Sequence, residues 1–133
     1  MSFGPKATQQ AIYTALTGDS TLMALIQGVF DNVPDNQTFP YITIGEGDWN
    51  DRGSHSTEGL TGSITINTWS QARGRKTVLD IQAEIDRILH NTNVSISGWS
   101  IISLRRDFST ILVEDDNLTY HGVSRFKILI GQT

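Results

Sequence analysis

The sequence predicts an α+β domain, a mostly antiparallel four-stranded sheet with helices packed on one face. Three observations predict it. Residues 73–89 carry Val78, Ile81, Ile85, Ile88 and Leu89 on one stripe, with Lys76, Asp80, Glu84 and Arg87 off it, as an amphipathic helix requires. Residues 98–113 and 118–130 read as two long strands joined by the polar turn Glu114-Asp115-Asp116-Asn117, which is a hairpin. The elements then follow in the order helix, helix, strand, loop, strand, helix, strand, strand. With 133 residues the chain is expected to form a single domain over 1–133.

The elements are justified in turn. Ala7, Ala11, Ile12, Ala15 and Leu16 recur at helical spacing, and Pro5 suits a first helical turn. Gly18 ends that helix, and Asp19 or Ser20 caps a short second one carrying Leu22, Met23, Leu25 and Ile26 as far as Gly28. Val29-Phe30 is a short extended piece. Residues 33–40 read as loop, because the residue before each proline favours extended geometry. Residues 41–44, after Pro40, are a strand.

Residues 45–59 read as a long mobile loop. They hold glycines 45, 47, 53 and 59, five charged residues and one large apolar side chain, Trp49. From Leu60 to Trp69, apolar and polar residues alternate as in a half-buried strand, and Ser70 is placed to cap the helix that starts near Arg73.

Composition narrows the chemistry. There are no cysteines, hence no disulfide framework, thiolate metal site or cysteine nucleophile. The net charge is −4, which argues against coating DNA by neutralising its phosphates. No apolar run approaches a membrane span, and the N-terminus does not read as a signal peptide. His55, His90 and His121 have no metal-site spacing, and His90 suits a helix C-terminus. The carboxylates Glu46, Asp48, Asp51 and Glu58, and those of the turn, lack the spacing of a calcium loop and read as solvated. Gly45-Glu46-Gly47 follows a strand with no helix behind it, so it is a poor phosphate cradle. With no nucleophile elbow either, no catalytic residue, cofactor or metal is expected.

Other features point to assembly. Ile101 and Ile102 are adjacent, as are Ile111 and Leu112, and 128–130 is a continuous apolar triplet. Strand neighbours point to opposite faces, so a sheet covered on one face leaves apolar side chains on the other, as interfaces do. Trp69 falls on the face opposite Ile64 and Ile66. The run Arg73-Gly74-Arg75-Lys76 puts positive charge at a helix start, where the dipole disfavours it. A neighbouring subunit's carboxylates would account for that, with simple solvation as the plainer account.

Four blocks, in order, resemble the phage tail completion or tail terminator family. They are Val29-Phe30-Asp31-Asn32-Val33-Pro34; Phe39-Pro40-Tyr41-Ile42-Thr43-Ile44-Gly45-Glu46; Ile64-Thr65-Ile66-Asn67-Thr68-Trp69-Ser70 followed by Arg73-Gly74; and Tyr120-His121-Gly122-Val123-Ser124-Arg125-Phe126. Ser124 stands where the pattern leads one to expect a larger apolar residue. The resemblance implies a tail-terminator-like fold and a non-enzymatic virion protein, assembled in the host cytoplasm. It implies a homo-oligomeric ring, usually a hexamer, at the head-proximal end of the tail. Its partners would be the tail tube and a head-completion or connector protein, with DNA passing through unread. The expected interface residues are Trp49, Trp69, Arg73, Arg75, Lys76, Glu114, Asp115 and Asp116, with the 45–59 loop ordering on contact. Two rivals remain: a head-completion or minor tail protein of the same particle, or a small oligomeric enzyme using His121 and a carboxylate between subunits.

Overall fold

The computed structural model describes residues 3–53 and 58–133. Helix α1 spans Gly4–Thr17, with Pro5 in its first turn, and buries Ala7, Ala11, Ile12 and Leu16. The short α2, Ser20–Met23, is capped by the Asp19 carboxylate, which accepts the Leu22 backbone N–H at 3.0 Å. It stops well before Gly28, yet Leu22 and Ile26 are both buried.

Strands β1 (Val29–Phe30), β2 (Tyr41–Asp51), β3 (Gly59–Ser70), β4 (Trp99–Val113) and β5 (Tyr120–Gln132) form one sheet in the order β1-β2-β3-β5-β4. The expected four-stranded sheet is therefore five-stranded and mixed. Val29 and Phe30 lie parallel to Ile42 and Thr43, and every other pairing is antiparallel.

The largest correction concerns 45–59. Most of that segment is strand: β2 continues to Asp51 and β3 begins at Gly59, paired from Asp51↔Leu60 through Tyr41↔Trp69 with one irregularity between Ile44 and Gly47. The glycines that suggested mobility serve close packing. A Cβ on Gly47 would run into the Ser63 backbone, and one on Gly62 would lie 2.6 Å from the Trp49 ring. Trp49 is the cross-strand partner of Gly62 and packs against the core. His55 lies outside the described residues.

Helix α3, Lys76–Leu89, buries Val78, Ile81, Ile85 and Leu89 on the predicted stripe. It begins three residues later than its predicted start, because Gly74 has φ +79° and turns the chain first. Ser70 is buried and caps a turn instead, its hydroxyl accepting the Ala72 N–H at 3.1 Å. All three helices lie on one face of the sheet. The core sits between them and the inward residues Ile42, Ile44, Ile64, Ile66, Leu104, Phe126, Ile128 and Ile130. None of the described helices is long and apolar enough to cross a membrane.

Candidate assembly surface

Side chains alternate along each strand, so the pairings fix what the helix-free face carries. One end holds Tyr41, Trp69, His121 and Leu112 side by side; the next row holds Thr43, Asn67, Val123 and Thr110. Further along come Thr65, Arg125 and Phe108, then Asp48, Ser63, Lys127 and Arg105. This face is mostly hydroxyl, amide and charge, not the broad apolar surface that the adjacent aliphatic pairs suggested. Its middle forms a shallow polar groove of about 380 Å³ walled by Asp48, Asn50, Ser63, Asp107, Arg125 and Lys127.

The aromatic end is tied together within the chain. The Trp69 and His121 rings stack at 3.9 Å with 12° between their planes, and Trp69 Nε1 donates to Thr43 Oγ1 at 3.1 Å. His121 Nε2 lies 2.7 Å from Asn67 Oδ1, and Nδ1 lies 3.3 Å from Glu114 Oε1. Burial pushes the imidazole below its ordinary value, outweighing the Glu114 carboxylate, which pulls it upward. The pairing of His121 with a carboxylate is thus met inside one subunit, through the hairpin that brings residue 114 back over residue 121.

Charges on the same face are not all matched. Arg125 reaches Asp107 at 3.1 Å and lies 5.3 Å from the Phe108 ring centre. Arg105 and Lys127 are direct cross-strand partners, an arrangement of like charges that destabilises a sheet. Neither has a carboxylate within ion-pair distance among the described residues. On the helix side Arg106 is satisfied by Asp86 at 2.7 Å.

Apolar exposure concentrates on β4. Ile102, Phe108, Leu112 and Val113 are all exposed, as is Leu118 just beyond the turn; Leu112 keeps 49 % of its surface and Phe108 46 %. β4 is also an edge strand of fifteen residues, when such edges are normally short or blunted. Its middle is covered: the Asn91 N–H donates to Leu104 O at 2.8 Å, and the Arg106 N–H donates to His90 Nδ1 at 2.9 Å. Residues 107–113 are paired to β5 alone. At the other edge β1 covers only the start of β2, which leaves 45–51 paired to β3 alone.

The predicted interface residues separate on this geometry. Trp49 is partly buried against the core and Trp69 is half-buried on the open face. Lys76 pairs with Asp80 at 2.9 Å, and Arg75 lies over the Tyr120 ring at 5.9 Å. Asp116 holds its own turn, accepting the Leu118 and Thr119 N–H groups at 2.9 and 2.8 Å and the Thr119 hydroxyl at 2.7 Å. Those three backbone and side-chain bonds hold its carboxyl below the usual range. Arg73 and Asp115 are exposed and make no such contact among the described residues. The residues that sequence reasoning missed are Arg105, Phe108 and Lys127. Phe108 stands out in the sequence as an aromatic residue between Asp107 and Ser109, but which strand forms an edge is not written in a single segment.

Among the described residues no group of three or more histidines and carboxylates is placed to hold a metal ion. The geometry offers contact surfaces and free strand edges. A family model described as "Tail completion protein gp17" matches residues 10–131. Tail completion protein gp17 of Bacillus phage SPP1 is 19 % identical over 126 residues, covering 95 % of this chain and 93 % of that protein. Among solved structures, a chain in the virion of a native gene transfer agent (GTA) particle has the same fold, with a TM-score of 0.90 at 20 % identity. The alignment covers 98 % of this chain and 99 % of that one.

Proposed function

We propose, from the premise that this chain belongs to the tail completion protein gp17 family, that it is a structural subunit of a phage-type virion, acting as a tail terminator. Identical subunits, six in number, close into a ring at the head-proximal end of the tail. The ring ends polymerisation of the tail tube and presents its other side to a head-completion or connector protein. A closed ring of one kind of subunit requires two different, complementary patches on each copy. DNA passes through without sequence readout, in keeping with a net charge of −4. The role is assembly and not catalysis.

The observation that carries this reading is the family match over 10–131, nearly the whole chain. The two different free edges, on β4 and on β2, support the ring component, because they make each copy two-ended. The test is light scattering after size exclusion, with and without purified tube protein, together with electron microscopy of tubes. Rings seated on tube ends, and tubes that stop growing once rings are added, are expected. A protein that stays monomeric with tube present refutes the terminator role. Binding to the connector alone, with tube growth unaffected, moves it to the head-completion role.

A further inference from the structure

We infer that residues 107–113 of β4 pair, antiparallel, with residues 45–51 of β2 in a second copy, so that one sheet runs on into the next. This deepens the ring reading by naming the two patches, and it rests on that reading.

Both stretches are unpaired on their outer side, for the reasons given above, and both are seven residues long. An open edge presents a row of free N–H and C=O groups, which another strand of matching length satisfies. The topology sets the direction. Successive antiparallel pairings from β2 through β3 and β5 to β4 leave β2 and β4 running oppositely. A second copy placed in the same sense beside the first therefore brings β2 against β4 antiparallel.

The side chains fit that direction. Antiparallel pairing centred on Thr110 and Asp48 keeps the helix-free faces of the two copies on one side, because both residues lie on that face. It also sets Gly45 and Gly47 of the second copy opposite the end of β4 that carries Leu112 and Val113, where an absent side chain leaves room for bulky ones. β4 against β4 of a second copy would satisfy the same backbone groups. Such a contact is isologous and closes two copies on each other, whereas a ring needs two different patches on each copy.

The chain has no cysteine, so engineered disulfides report the contact without interference. In the centred register Thr110 faces Asp48; directly opposed Cα atoms in an antiparallel pair are about 4.5–5.5 Å apart, inside the span a disulfide bridges. T110C/D48C is expected to give, in oxidised ring fractions, a ladder of covalent oligomers in steps of 14.7 kDa. The single variants give none, and T110C/N50C covers a register slip of two residues. A covalent dimer from T110C alone means β4 meets β4 and overturns the inference. Rings without a ladder from either cysteine pair also overturn it while leaving the terminator role standing. A wild-type chain that forms no ring even with tube protein overturns both.

Discussion

At Gly122 the side chains of α3 press directly on the sheet backbone, and crowding that contact has a cost that can be worked out. A Cβ built on Gly122 would lie 2.5 Å from Val78 Cγ1 and 2.8 Å from Gln82 Nε2. Gln82 is long and can swing aside, giving up weak bonds to the Thr110 and Val123 carbonyls at 3.3 and 3.5 Å. Val78 cannot, since it is fully buried and β-branched, with one favoured rotamer in a helix. Gly122→Ala therefore overpacks the helix–sheet interface, at about 1–3 kcal/mol. For a chain of this length each kcal/mol lowers the thermal midpoint by about 4 °C, so a drop of about 4–12 °C is expected by circular dichroism. Val78→Ala alone opens a cavity and costs about 1–3 kcal/mol. In the double variant the new methyl occupies the space Val78 vacates, so its total should fall short of the sum by about 1–2 kcal/mol. Urea midpoints at constant m-value measure the cycle. Costs that add to within about 0.5 kcal/mol would mean that α3 tilts away instead of clashing, and the close-approach account would be wrong.

Other outcomes follow from the same structure. The His121 imidazole should titrate below 6.5 in an NMR pH series, and Glu114→Gln should move it lower still, because the lost carboxylate was the influence raising it; an upward move refutes the contact. Because the folded value is depressed, the neutral ring's contribution to stability is complete above the unfolded value and is lost as pH falls towards the folded one. His121→Gln should flatten that part of the stability profile. Asp116 behaves likewise at lower pH: its depressed carboxyl supports the hairpin above about 3.8, and support vanishes as acid protonates it. Asp116→Asn should reduce the urea midpoint at pH 7 more than at pH 3, and an equal reduction at both would count against the turn bonds. Phe108→Ser and Leu112→Ser should change the monomer's circular dichroism and melting little while abolishing rings, since both side chains are about half exposed; a large loss of monomer stability would show that they belong to the core.

Helices and the terminal hairpin were legible because their periods are long and their punctuation is local. The stripe of α3 spans about three turns, and Glu114-Asp115-Asp116-Asn117 sits between two runs of strand formers. The 45–59 segment misled because glycine has two physical uses. At Gly47 and Gly62 it permits close approach of backbone and of the Trp49 ring, which from composition looks the same as looseness. β1 has two residues and owes its strand status to pairing with Ile42 and Thr43, a partner no local pattern names. Ser124, expected to disturb the packing, lies buried opposite Ile66 and Ser109, where the pair of serines is small on both sides.

The candidate surface was harder to read than the fold, for a related reason. Charge runs such as Arg73-Gly74-Arg75-Lys76 are visible in sequence, but their partners are not, and Arg75 and Lys76 find Tyr120 and Asp80 within the chain. Arg105 and Lys127 are twenty-two residues apart and unremarked as a pair until the β4–β5 register sets them side by side. A strand edge is likewise a property of topology: β4 is exposed only because β5 enters the sheet between β3 and β4. That single insertion puts the last strand at the centre and the fourth at the rim. It also puts Phe108 and Leu112 at the rim, where the proposed contact with a second copy would cover them.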